Sequence, residues 1–356
     1  MPVCHLHIGL HKSASSSLQR LMLTNQAQLA RLGIYVPETC TNGYRRAHHA
    51  LAWEFHDKKS RGVRPGGFAD LQAELAACGT PERILVSSEA FESNLCARGR
   101  LERLRGTFAA MGYRVRLAAY IRPQAGYINS RYAQLTKMLA NALDMDAFIA
   151  TALKRTRFDY EKSLLPVVHF EGIDTAFRPF NRQTLSGGIA GDFLSTLELD
   201  ADAIDTMQVA SDRNVSPGPR TIAACLALSR RLVEQGIAVP MPLRKKASRM
   251  VRELGDLLGW NQTSFSGITS VHAQAIRDRF AAGNEAFATT VWQRSWENVY
   301  EQDGCTAPAL NVFDPDTASR EDRSEFDEVL ETAWHLLNHH EGPFRRRSRK
   351  STTNQE

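Results

Sequence analysis

The sequence predicts an α/β protein: a central, mainly parallel sheet flanked by helices, with a helical extension at the C-terminal end. Three observations carry this. Short apolar, β-branched runs alternate with helical periodicity over the first half of the chain, the order in which parallel strands and crossover helices follow one another. Glycines stand where the helical stretches stop, at Gly33, Gly79 and Gly112. Beyond about residue 190 the periodicity is helical throughout.

Val3-Cys4-His5-Leu6-His7-Ile8 alternates weakly and reads as a short buried strand, followed by a polar turn from Gly9 to Ser15. Leu18, Leu21, Met22, Leu29 and Leu32 then recur at helical intervals up to Gly33. A helix over Phe68 to Cys78 precedes the strand Arg83–Ser87, and a helix over Leu101 to Met111 precedes the strongest strand, Arg114–Ile121. Next come a helix from about Ala125 to Leu139 and a strand at Ala176–Phe180. Helices are expected at 191–199, 218–235, 243–258, 271–291 and 324–339, with loops near 61–67, 186–191, 214–219 and 303–316. No internal repeat is visible. One α/β domain over 1–300, helical from about 191, is followed by a loop and helix at 301–342 and a basic tail at 343–356, expected to be disordered.

The composition narrows the function classes. The chain has 356 residues, a 43% hydrophobic and a 23% charged fraction, the profile of a globular protein. No apolar run approaches the roughly 20 residues that span a bilayer. His5, His7, His11 and Lys12 interrupt any signal-peptide pattern, so an unprocessed cytoplasmic protein is expected. The six cysteines include no CxxC pair, which suits reduced thiols better than a disulfide framework or a zinc site. His5, His7 and His11 alternate, but no matching Cys or acidic ligand accompanies them, and no metal is expected. A net charge of +5 fits an anionic ligand and does not by itself point to nucleic acid.

The segment from His7 to Leu18 joins the first strand to the first helix. Backbone N–H groups and the positive end of the helix dipole converge there, which makes an anion site. Lys12 adds a point charge, and Ser13, Ser15, Ser16 and Ser17 add hydroxyl donors. A Walker loop requires a Gly-Lys-[Ser/Thr] step with another Gly five residues earlier. Here His11 precedes Lys12 and Gly9 stands three residues before it, so the nucleoside-triphosphate pattern fails where its glycines matter.

His11-Lys12-Ser13-Ala14-Ser15-Ser16-Ser17-Leu18 instead resembles the 5′-phosphosulfate loop of sulfotransferases, and the opening HIGLHKSASSSLQ resembles their bacterial branch related to glycan sulfotransferases. Ala14 departs from the usual Gly of that loop. A second element agrees with it: Arg122-Pro123 ends the strongest strand, and Ser130 follows Arg122 by eight residues, the form of the family's 3′-phosphate element. The segments at 177–182, 192–194, 214–216 and 276–285 resemble successive parts of the same family.

The resemblance implies a three-layer P-loop-like fold. It implies 3′-phosphoadenosine 5′-phosphosulfate as co-substrate, 3′-phosphoadenosine 5′-phosphate as product and no required metal. The acceptor would be a hydroxyl, or in second place an amine, on a carbohydrate.

By analogy with phosphoryl transfer, such a protein positions reactants, stabilises charge and supplies a base. Lys12 suits the leaving-group side. Glu89, just after the strand Arg83–Ser87, is the first candidate base, and His48 and His49 are the rivals. Arg45, Arg46 and His48 are candidates to contact the acceptor. Two other readings stay open: a P-loop kinase-like phosphotransferase using ATP, and a sulfotransferase-fold binding protein without catalysis.

Overall fold

The computed structural model describes residues 1–10, 15–41, 47–55, 66–94, 98–181, 185, 187–209, 216–300 and 309–338, with only the backbone of 93, 94 and 98. The described residues fall into two compact units. The first draws on the stretches Met1–Tyr127, Leu153–Arg213 and Ala275–Thr306, and the second on Ile128–Ala152, Asn214–Gln274 and Ala307–Glu356.

The first unit holds the sheet. Its strands are β1 (Val3–His7), β2 (Ile34–Tyr35), β3 (Arg83–Ser87), β4 (Arg114–Ile121) and β5 (Ile173–Pro179), all parallel, in the order β2-β3-β1-β4-β5. The fold class is the expected one, α/β with helices flanking a parallel sheet, consistent with a three-layer P-loop-like fold.

Alternation along the strands sorts the core into two layers. Cys4, Leu6, Ile8, Ile84, Val86, Val115 and Leu117 join one buried cluster with Leu71, Leu75, Leu104, Phe108 and Phe287 from helices. Leu85 and Tyr120 join another with Leu18, Leu21, Met22, Phe193 and Leu194. Both faces are covered, as a parallel sheet requires.

β3 and β4 have the expected bounds. β2 was not anticipated, because two residues carry no periodicity. β5 starts at Ile173, three residues before the expected Ala176, since Asp174 and Thr175 weaken its apolar signal. The first helix breaks at Asn25 into Ser15–Thr24 and Gln26–Arg31. There the Asn25 amide donates to Leu21 O at 2.9 Å and Gln208 O at 2.8 Å and accepts from Gln208 N.

Register sets the height of the strand ends. Val3–His7 pairs with Arg83–Ser87 on one side and Arg114–Ala118 on the other. β4 continues to Ile121, paired there with Pro179 of β5, so it overhangs β1. The chain leaves β1 toward β2 and leaves β4 toward β5, and adjacent strands that diverge in this way open a crevice at their carboxyl ends.

Among its described residues the second unit is helical, with one isolated bridge between Ser266 and Asn311. Helices Pro219–Glu234, Met241–Leu257 and Arg320–Asn338 share a core of Leu228, Leu232, Val251, Trp260, Phe326 and Trp334. Arg220 pairs with Asp322 at 2.6 Å and Glu325 at 3.3 Å, tying the first of these helices to the last. Among the described residues no helix is long and apolar enough to cross a membrane. Cys4, Cys40, Cys78 and Cys225 are free thiols.

Candidate active site

The site is built where β1, β3 and β4 end. Gly9 follows β1 because nothing larger fits: a Cβ there would stand 1.8 Å from Ser15 Oγ, 2.7 Å from Ser15 Cβ and 3.6 Å from Glu89 Cβ. The missing side chain lets the helix Ser15–Thr24 start against the strand end. Its first turn presents N–H groups without intrahelical acceptors, the basis of an anion site. The buried Ser15 hydroxyl has no hydrogen-bond partner among the described residues. An orphaned donor at a helix N-terminus fits an anionic group. His11, Lys12, Ser13 and Ala14 lie outside the described residues; Ser16 and Ser17 lie on the first turn of the helix.

Glu89 opens a 3₁₀ turn, Glu89–Asn94, directly after β3 and Ser88. Its Oε2 accepts from Gln19 Nε2 at 3.0 Å, and its Oε1 lies 3.7 Å from His49 Nε2. The Glu89 and His49 side chains are 28% and 23% exposed, so both reach solvent at the sheet edge. Ser88 Oγ accepts from Ala90 N at 3.1 Å and lies 2.8 Å from His49 Nδ1. The Ser88 hydroxyl can donate to His49 Nδ1 or accept from it, according to the tautomer of the ring. His49 also stacks on Trp53, centroid to centroid at 5.7 Å.

His48 sits differently. It is fully buried; Ser87 N donates to its Nδ1 at 3.1 Å, and its Nε2 lies 3.1 Å from Pro37 O. Both ring nitrogens are thus committed to main chain, with the hydrogen on Nε2. Burial lowers its pKa to about 4, against the opposing effect of the Pro37 and Ser87 hydrogen bonds. His48 braces the ends of β2 and β3; the structure brings Glu89 and His49 together and leaves His48 behind them. Arg45 and Arg46 lie outside the described residues.

His7 ends β1 beneath this group, with Nδ1 2.8 Å from Ser87 Oγ and its ring edge-on to Phe193. Desolvation lowers its pKa to about 4, with the Glu89 charge pulling the other way. Among the described residues no set of three or more His, Cys, Asp or Glu side chains is arranged to hold a metal ion.

Arg122 follows β4, and its backbone is pinned. Tyr300 Oη donates to Ile121 O at 2.6 Å, and Tyr160 Oη donates to Arg122 O at 2.7 Å. The guanidinium folds back over Gly126, where a Cβ would meet Nη2 at 2.6 Å, and lies 5.7 Å from the Phe180 ring centroid. The result is a half-buried cation of fixed position at the carboxyl edge of the sheet. Ser130 is half-buried on the helix Gln124–Lys137 and belongs to the second unit.

Sequence reasoning missed Gln19, Gly126, Tyr160 and Tyr300. Gln19 had one local signal, its position four residues after Ser15 on the same helix face. Comparison with protein-family models, curated proteins and solved structures finds no match for this chain.

Proposed function

We propose that this chain is a sulfotransferase that moves a sulfuryl group from 3′-phosphoadenosine 5′-phosphosulfate to an acceptor hydroxyl, with carbohydrate as the acceptor class. One observation carries the reading: the partly exposed Glu89 carboxylate stands at the carboxyl edge of the sheet, hydrogen-bonded by Gln19 from the helix that leaves the β1 loop. A base so placed faces the region where an anion held by that helix would present its reacting end.

The N-terminus of the helix Ser15–Thr24, with its orphaned Ser15 hydroxyl, supports binding of the 5′ phosphosulfate, to which Lys12, Ser13, Ser16 and Ser17 would add donors. The fixed guanidinium of Arg122 supports binding of a second phosphate, the 3′ group. In the transfer an oxygen of the acceptor bonds to sulfur as the bond from sulfur to the 5′-phosphate oxygen breaks. The acceptor's proton passes to Glu89, and 3′-phosphoadenosine 5′-phosphate departs. The partly exposed carboxylate then releases that proton to solvent. The carbohydrate assignment rests on the sequence resemblance.

Calorimetric titration with 3′-phosphoadenosine 5′-phosphate, with ATP·Mg²⁺ and Arg122→Ala as controls, tests this. Tight binding lost in the variant is expected, followed by turnover with a saccharide panel. Preference for ATP·Mg²⁺ would replace the reading with a phosphotransferase, and binding without turnover on any acceptor class would leave a nucleotide-binding protein.

A further inference from the structure

We infer that Gln19 is the positioning residue that couples the helix leaving the β1 loop to the base, and so fixes the separation between the two ends of the transfer. The inference rests on the sulfuryl-transfer reading above. Ser15 and Gln19 stand four residues apart, on one face of the helix Ser15–Thr24 and about 6 Å apart along its axis. Ser15 closes on Gly9, and Gly9 in turn borders Glu89 Cβ. One turn on, Gln19 is 1% exposed and its amide nitrogen donates to Glu89 Oε2 at 3.0 Å and to Ser87 Oγ at 3.4 Å.

Two acceptors two residues apart on the end of β3 fix the amide plane. The orientation is forced as well, because the amide oxygen could not face a carboxylate. The residue type matters to the chemistry. A Lys or Arg here would hold Glu89 more strongly, and the ion pair would make it a poorer proton acceptor. A neutral amide orients the carboxylate without adding a positive charge beside it. The same helix face therefore carries Ser15, packed on Gly9 at the helix start, and the base-facing Gln19, with the helix as a rigid spacer between them.

The test uses the full-length chain labelled with ¹³C at the glutamate carboxyls, with the Glu89 signal assigned by its absence from Glu89→Gln. In Gln19→Met the loss of the N–H donor moves the Glu89 midpoint to higher pH than in the wild type. In Gln19→Glu, which keeps the shape, two adjacent carboxyls titrate in separate steps. Glu89 titrating identically in the wild type and a folded Gln19→Met would overturn the inference; should that variant fail to fold, a single-step titration in Gln19→Glu does so.

With 3′-phosphoadenosine 5′-phosphosulfate and an acceptor, Gln19→Met should lower kcat about tenfold or more and shift the acid limb of the pH profile upward, with nucleotide Kd within about twofold. The carboxyl titration needs no turnover. A shifted midpoint in a chain that never turns over therefore supports the clamp on Glu89 and overturns only the transfer reading. Normal turnover in a folded Gln19→Met with an unshifted midpoint overturns the clamp alone.

Discussion

Mild acid should unfold this protein, and three histidines set the size of the effect. His5, His7 and His48 are buried, and each has its pKa lowered from 6.5 to about 4, chiefly by desolvation. At His5 the charges of Arg116, Arg83 and Arg114 add to the lowering, and Glu198 opposes it. A folded value below the unfolded one means that the unfolded chain binds more protons between pH 6.5 and 4. Stability is therefore complete above pH 6.5, falls as the pH drops through that window and stops falling from this cause below about 4. Going from pH 7.5 to pH 5 costs about 2 kcal/mol per ring, or about 6 kcal/mol for three independent rings. That is comparable to the whole stability of a typical domain, about 5–15 kcal/mol. Urea unfolding at pH 7.5, 6 and 5 measures the loss, and imidazole ¹⁵N shifts give each midpoint. A free energy of unfolding that stays constant from pH 7.5 to 5, or a His48 midpoint near 6.5, would refute the reasoning.

Gly126→Ala should leave the melting temperature within a few degrees, since the better helix former gains up to about 1 kcal/mol and the displaced Arg122–Phe180 contact loses about as much. The same change should weaken 3′-phosphoadenosine 5′-phosphate about tenfold to a hundredfold by calorimetry, the worth of a charged hydrogen bond. Gly9→Ala drives a methyl into Ser15 and should cost about 1–3 kcal/mol in chemical denaturation; adding Ser15→Gly should recover much of it, a coupling that a double-mutant cycle measures. Glu89→Gln keeps the shape and should lower kcat about a hundredfold or more with nucleotide Kd within twofold in a steady-state and binding comparison.

The parts of the fold that were legible are those whose signal is local. β3 carries the apolar run Ile84-Leu85-Val86 and β4 the run Leu117-Ala118-Ala119-Tyr120-Ile121, and these local signals made both strands readable. The break at Asn25 was hidden because Leu18, Leu21, Leu29 and Leu32 keep their spacing across it, while the cause, a bracket on Gln208, lies 183 residues away. The site divides in the same way. A Glu directly after a strand in a parallel sheet must lie at its carboxyl edge, so Glu89 could be placed without coordinates. His48 and His49 are neighbours with nothing in the sequence to separate them. Only the depth of the helix start shows that one is committed to Pro37 and Ser87 and the other faces Glu89. The hydroxyls of Tyr160 and Tyr300 reach Arg122 and Ile121 from 38 and 179 residues away, beyond any motif.

The overhang of β4 makes the sheet edge a gauge for ligand length. His7, the last residue of β1, is level with Ala118, and Arg122 stands four residues further on, as much as about 13 Å at parallel-strand rise. On the proposed reading, the helix start after β1 and the cation after β4 stand at different heights of one sheet edge, and a ligand with an anionic group at each end would meet both.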